Sequence, residues 1–539
     1  MRILFIHICK LDIFVCFAIW LLKLPTILIM KLKYFYTALA FTFLVTVLIG
    51  FSPASKTSPV TGETLAKQYC SSCHLFTAPD LLDKKTWKEN VLPNMGWRLG
   101  IRGVNDSPYA AMEPDEAAIV ENLHVYPTTP IISASDWKKI VDYYVTKAPT
   151  TVIAPSSTVV IKNNNRQFFS RPVFIDNKQA PKTSMVKYNE QTGTLYVSDA
   201  TNELYALDAN MHLQETWNTP SAVVDLLFEK NKEPKALCIG SIAPSEKKEG
   251  LLISLDSTAQ NASFGGLARP VNIEKADINQ DGKEDLIICQ FGNHTGKISW
   301  LDAGDPRKEN ILVYRPGARK AEIVDLNKDG KLDVVVMMAQ AYEGIYYLEN
   351  LGAGKFKETP LVKFPPVYGV SYFEMIDFNK DGFLDIVMSN GDNWDISRVK
   401  KRFHGVRILL NDKSNHFKES YFFPMYGASK AVARDFDGDG DLDIAAISFY
   451  DELAKPEQGF IYLENTGNMQ FTASSTPDAA NGKWLTMEVA DIDKDGDADI
   501  VLGSFIYTFT EMTQLLLKGI EHFPQLLVLT NNKNSINNK

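Results

Sequence analysis

One nine-residue pattern constrains this chain more than any other feature. It occurs five times, as DINQDGKED from Asp277, DLNKDGKLD from Asp325, DFNKDGFLD from Asp377, DFDGDGDLD from Asp435 and DIDKDGDAD from Asp491. Each copy sets carboxylate or amide oxygens at positions 1, 3, 5 and 9, a glycine for a sharp turn at 6 and a backbone carbonyl at 7. That is the hard-oxygen donor set of Ca²⁺. The expected ligands are Asp277, Asn279, Asp281 and Asp285 in the first loop, and Asp325, Asn327, Asp329 and Asp333 in the second. Asp377, Asn379, Asp381 and Asp385 follow in the third, Asp435, Asp437, Asp439 and Asp443 in the fourth, and Asp491, Asp493, Asp495 and Asp499 in the fifth. An EF-hand would place a bidentate Glu at position 12 between two helices. Here position 12 is Ile288, Val336, Met388, Ala446 and Leu502, inside β runs such as LDVVVMM and LDIAAIS, so the loops join strands.

These loops and their flanking strands resemble the FG-GAP, or VCBS, repeat of calcium-binding β-propellers, over most of the chain from about residue 160 onward. Their first Asp positions are separated by 48, 52, 58 and 56 residues, a period suited to one four-stranded blade with insertions. Extending the phase backward puts Asp225 and then Lys187 in the same register, in segments that keep the strands and lose the ligands. Two degenerate and five calcium-type blades predict a seven-bladed all-β propeller, with strands from residues 158 to 175 completing the last blade.

Charge agrees with bound cations. The chain has 56 Lys and Arg against 65 Asp and Glu, a formal balance of −9, and no basic run, which disfavours a nucleic-acid partner. Residues 1–54 hold five of the bases and one of the acids, so the remainder has 51 against 64, or −13. Up to five Ca²⁺ would bring it to −3.

The N-terminal region reads as a leader. Tyr34 to Phe51 is an uninterrupted apolar run after Lys31 and Lys33, followed by a small-x-small pattern at Ser52 and Ala54, as in a signal peptide. An uncleaved anchor is the alternative, and only then is a membrane a partner. Met30 begins a better leader than Met1, so translation is expected to start there. The mature protein is then exported, to the periplasm or the cell surface.

Cys70 opens the motif CSSCH. Two thiols at this spacing can form thioethers with haem vinyl groups while the next imidazole, His74, reaches the iron. A zinc site would need a second Cys/His pair, and His124 stands alone. Ser135 is expected to cap a helix whose apolar face is Trp137, Ile140, Val141 and Tyr144. Residues 58 to 149 resemble a class I cytochrome c domain, with terminal helices crossing near Gly62. The resemblance implies one covalent haem c on Cys70 and Cys73 with His74 axial. Met95, placed in a Gly-rich loop after the helical DKKTWKENVL, is the favoured sixth ligand, with Met112 the alternative; Arg98 and Arg102 could pair with propionates.

The organisation expected is therefore a leader (1–54), a small all-α cytochrome c domain (58–149), a Thr/Ser/Pro-rich linker (150–157), an FG-GAP-like propeller (158–530) and a disordered tail (531–539). As a whole it resembles an exported bacterial FG-GAP propeller fused to a cytochrome c. If the acidic loops connect the first and second strands of each blade, the long insertions at 391–405, 449–459 and 505–525 gather on the opposite rim. There they carry Asp392, Trp394, Asp395, Arg402, His404, Tyr450, Asp451 and Tyr507 as a candidate binding surface. Three functions follow: an electron-transfer protein whose propeller binds a redox protein or a substrate, an oxidoreductase passing electrons to its own haem, or a calcium-dependent surface or glycan binder. Catalytic residues are not identifiable at this stage, and the fold alone does not choose among the three.

Overall fold

The computed structural model describes residues 60–103, 106–152, 159–175, 180–256, 262–305, 307–392, 397–450 and 453–533. The leader, most of the linker, Trp394, Asp395, Asp451 and the last six residues lie outside the described residues. Among the described residues no helix is long and apolar enough to cross a membrane.

Residues 183–531 build seven antiparallel sheets, six of them closed within consecutive sequence. The third blade is typical. Its innermost strand Pro270–Ala276 leads through the first acidic loop into Asp285–Gln290, then Lys297–Leu301 and the outer Glu309–Val313. In the last blade Trp484–Ala490, Asp499–Ser504 and Leu526–Asn531 are completed by Phe168–Val173, which pairs antiparallel from Phe168↔Asn531 to Val173↔Leu526. The ring is thus closed by strands from its two ends. A short segment, Ile161–Lys162, adds in parallel to the outer edge of the sixth blade.

The second strand of each acidic-loop blade is buried on both faces, which explains why runs such as Asp333–Met338 are continuously apolar after their first residue. Blades stack through separate apolar clusters, one between each neighbouring pair around the ring. Each large core side chain removed from water in these clusters contributes about 1.5–3 kcal/mol.

The first two blades correct the expected register. Asp225 and Lys187 lie inside the innermost strands Val223–Leu227 and Thr183–Asn189, not at loop starts. Strand pairing puts Asp225 level with Asn272 and Lys187 level with Glu274, so both belong to the wall of the central channel, where they form an ion pair.

Residues 61–148 form a helical unit. Thr61 caps helix Gly62–Cys70 by accepting from the Thr64 amide, and the helix ends on the first motif cysteine. Helix Ala134–Lys147 is capped by Ser133 rather than Ser135, through the Asp136 amide at 3.1 Å. The two helices touch at Gly62, where a Cβ would fall 2.1 Å from the Lys139 carbonyl oxygen, so only glycine permits this approach. Tyr144 fixes the core by donating to the Thr77 carbonyl at 2.9 Å and packing 4.3 Å from the Trp87 ring centre.

The helical unit sits on the propeller face opposite the acidic loops. Arg402 reaches Asp80 at 3.0 Å, Lys247 reaches Glu113 at 2.7 Å, Glu116 accepts from Ser245 and from the Glu246 amide, and Val367 and Val399 pack against the helical core.

Candidate functional site

The acidic loops share one backbone solution. Position 4 has a left-handed φ in every copy (Gln280, Lys328, Lys380, Gly438, Lys494), and so does the position-6 glycine (Gly282, Gly330, Gly382, Gly440, Gly496). Around most of these glycines there is open space, so the conformation and not crowding demands them. In the first loop Asp277 accepts from the Asp281 and Gly282 amides at 3.0 and 2.9 Å, while Asn279 and Asp281 accept from the amides two residues on. The same bonds recur from Asp325, Asp377 and Asp491; in the fourth loop Asp435 instead accepts from Gly438.

Carboxylate oxygens converge within 4.8 Å in two loops, Asp435 with Asp437 and Asp439, and Asp491 with Asp493 and Asp499. Burial and neighbouring carboxylates push Asp497 and Asp499 up to about 6, and burial pushes Asp443 up to about 7. Both carboxylate oxygens of Asp497 are buried without a hydrogen-bond partner. Among the described residues Lys380 reaches the fourth loop only at Asp441, 3.9 Å away, and the converging carboxylates form no ion pair of their own, so a hard dication fits their donor set.

The position-9 aspartates have a second role that the loop pattern does not reveal. Each opens its second strand, buried, and Asp333, Asp385, Asp443 and Asp499 each accept from the amide of an asparagine ending the third strand: Asn350, Asn411, Asn465 and Asn531, at 2.7–2.8 Å. Asn350 and Asn531 in turn donate to the Ile278 and Phe436 carbonyls of the preceding blade, each at 2.8 Å. The loops are therefore tied to both their own blade and the next.

On the opposite face a cavity of about 1400 Å³ lies between the helical unit and the mouth of the propeller channel. It exceeds the ~300–1,000 Å³ of ordinary small-molecule sites. Cys70, Cys73, His74, Met95 and Met112 all line it, as do Arg98, Arg319, Asp392, Tyr450 and Tyr507. The four described cysteines are free thiols, and burial raises Cys70. His74 Nδ1 lies 2.8 Å from the Leu75 carbonyl, which can only accept, so Nδ1 carries the proton. Burial, with Arg98 contributing, holds this imidazole below its ordinary range against that bond, leaving Nε2 with a lone pair. A ring nitrogen tied to a backbone carbonyl is how metal-binding histidines are commonly oriented.

Met95 lies in helix Leu92–Arg98, not in a loop. Gly96, which suggests a break, instead admits the Trp137 ring, 3.2 Å from where its Cβ would be. Arg98 faces the cavity, whereas Arg102 donates to the Tyr126 and Pro127 carbonyls. His124 is exposed and outside the cavity wall.

The rim residues separate into different roles. Arg319 joins Asp392 at 2.9 Å and the Tyr450 hydroxyl at 3.2 Å on the cavity wall. Arg402 is engaged with Asp80, and His404 is fully buried, stacked on Tyr426 and held neutral by burial. The insertion 505–525 contains helix Phe509–Leu517, started by a capping box between Thr508 and Glu511. Below the rim, Asp225, Asn272, Glu274, Lys320, Tyr372, Lys430 and Glu488 line the cavity where it enters the channel. Their sequence signal is an alternating polar residue in otherwise apolar inner strands.

Residues 277–336, 325–388 and 435–502 match the model of the FG-GAP-like repeat. Mouse cartilage acidic protein 1 is 25% identical over 243 residues, which are 43% of this chain and 35% of that protein, so the match spans about a third of the relative's length. Among solved structures, the WD40 domain of Pan2 from Neurospora crassa is similar at a TM-score of 0.41 and 9% identity, covering 69% of this chain and 98% of that one. The β-propeller domain of Cps50 (Swd1) from Myceliophteria thermophila has the same TM-score and identity, covering 67% and 100%. Sheet order and family match together give the conclusion that this chain carries FG-GAP-like repeats in a seven-bladed β-propeller.

Proposed function

We propose that this protein is an exported c-type haem electron-transfer protein whose propeller binds a small organic electron donor in the cavity facing the haem. The observation carrying the reading is that CSSCH, with its oriented His74, opens onto the same cavity as the propeller channel. Cys70 and Cys73 would hold the haem by thioethers, and His74 Nε2 and Met95 would supply ligands to its iron. The group would supply one-electron redox chemistry there, and the propeller rim would hold the donor beside it. The Arg319–Asp392–Tyr450 cluster would orient that donor, and the roof formed by the helical unit would exclude water. A cavity recessed between the two parts favours a small molecule over a docked redox protein.

The five acidic loops, on this reading, hold structural Ca²⁺, supported by the clusters at Asp435 and Asp491. The apolar run before Ser52 supports export.

The test is reduction of purified holo-protein by panels of small alcohols, phenols, sugars and reduced redox proteins, followed at the haem bands. Reduction by a small molecule alone supports the reading. Reduction only by a protein donor removes the cavity from the electron path, and a haem fully extracted by acid and acetone removes the covalent attachment.

A further inference from the structure

Tyr126, on the helical unit, meets two propeller residues at the cavity wall. Its hydroxyl is 3.4 Å from His294 Nε2, and His294 Nδ1 is 2.7 Å from Glu246 Oε1. The chain is buried, with the side chains of His294 and Glu246 only 8% and 3% exposed. Glu246 also accepts from the His294 and Thr295 amides and the Thr295 hydroxyl, at 3.0–3.1 Å, which fixes its orientation. These bonds, working against burial, hold its carboxyl below the ordinary range. An ionised carboxylate cannot donate, so the His294 proton is on Nδ1 and, in the neutral ring, Nε2 is the acceptor for the phenol. Tyr126 and His294 both line the cavity.

We propose that Tyr126, His294 and Glu246 form a proton relay that accepts the hydroxyl proton of an alcohol or phenol bound in the cavity. The ligand O–H bond breaks and its proton passes to Tyr126 Oη as the Tyr126 proton passes to His294 Nε2. The products are the ligand oxyanion, neutral Tyr126 and an imidazolium held by the Glu246 carboxylate; no electron moves in this step. Burial raises the phenol of Tyr126 above its ordinary range, which suits a group that transmits a proton without keeping the charge. The Arg98 guanidinium lies 5.5 Å from the Tyr126 ring centre and also lines the cavity, a cation close to the relay. Tyr126 is the residue that touches the ligand, His294 the proton acceptor and Glu246 a positioning residue. Because the relay draws on both parts of the protein, it exists only when the helical unit is seated.

The inference rests on the cavity being a ligand site, as in the function proposed above, but its test does not read the haem. An ortho-fluoro, para-cyano phenol, which dithionite does not reduce, is added to the dithionite-reduced full chain and followed by fluorine NMR, at a pH below the probe's own pKa where the free probe is mostly neutral. The expected result is a bound resonance at the phenolate position in the wild type, moved to the neutral position by His294→Gln and by Tyr126→Phe. Tyr126→Phe removes one hydroxyl from the other side of the interface, so it decides the matter even where His294→Gln does not fold. A neutral bound probe in the wild type, an unchanged phenolate in both variants, or no bound resonance at all would overturn the relay. The haem spectrum of the same samples reports the electron-transfer reading separately.

Discussion

Cys70, Cys73 and His74 stand in a row that any reader of the chain can find, whereas their chemical surroundings come from positions as distant as Tyr507. Short motifs are legible because ligand spacing is local. The cavity was not, because only the seating of the helical unit on the closed ring brings residues 70, 126, 246, 294, 319 and 392 together. At this scale, if haem c is held as proposed, Cys73→Ala is expected to leave one thioether and His74→Ala to lose the ligand nitrogen, both visible in the haem spectrum. Met95→Ala should remove sulfur ligation while Met112→Ala should not; the reverse would move the ligand to Met112.

A titration is expected from Glu374, in the innermost strand Val370–Ile376 of the fifth blade. Glu374 is 7% exposed, and burial raises its carboxyl from an ordinary value of 4.5, with Arg434 opposing. A carboxyl raised in the folded state contributes stability that is full below its unfolded value and is lost as pH rises through its folded value. Glu374→Gln should therefore flatten the fall in unfolding free energy above pH 4.5. Denaturant melts across that window check it, and an unchanged slope would assign the slope to other groups.

Among the elements, blades with acidic loops were legible because Gly, Asp and apolar strand residues recur in fixed phase. The first two blades lack that punctuation, so phase carried backward put Asp225 and Lys187 at loop starts although they lie in the inner strands. Likewise Gly96 signalled a loop where an aromatic ring approaches a helix. Contacts between elements decide such cases. Gly62→Val should force the crossing helices apart and destabilise the helical unit by about 1–3 kcal/mol, checked by its thermal transition in the full chain. Asn531→Ala breaks bonds to the Phe436 and Ala498 carbonyls at 2.8 and 3.1 Å. Gln167 Nε2, which donates to Asn531 Oδ1 at 2.7 Å, loses that acceptor as well, and the loss of these buried bonds should cost about 1–3 kcal/mol, seen as a lower midpoint in urea.

For the whole molecule, the calcium proposed above would be linked to ring closure, because the acidic loops are tied to neighbouring blades. Metal that binds only the folded ring stabilises it by about 2.7 kcal/mol per site at a hundredfold excess over the dissociation constant. Chelation should lower the propeller melting temperature while the haem spectrum stays nearly constant, and metal analysis should find calcium in protein prepared without chelators. An EDTA-insensitive melt in metal-free protein would end the calcium assignment. The pairing of Phe168–Val173 with Leu526–Asn531 carries one more consequence, for biosynthesis. The first of these strands is made 363 residues before its Asn531 partner position, an interval of roughly twenty to seventy seconds at ~5–20 residues per second. Through that time its backbone edge has no partner and is open to pairing with other nascent chains. Keeping the polypeptide unfolded until synthesis is complete, as passage through a membrane does, turns this delay from a hazard into the order of events the ring requires.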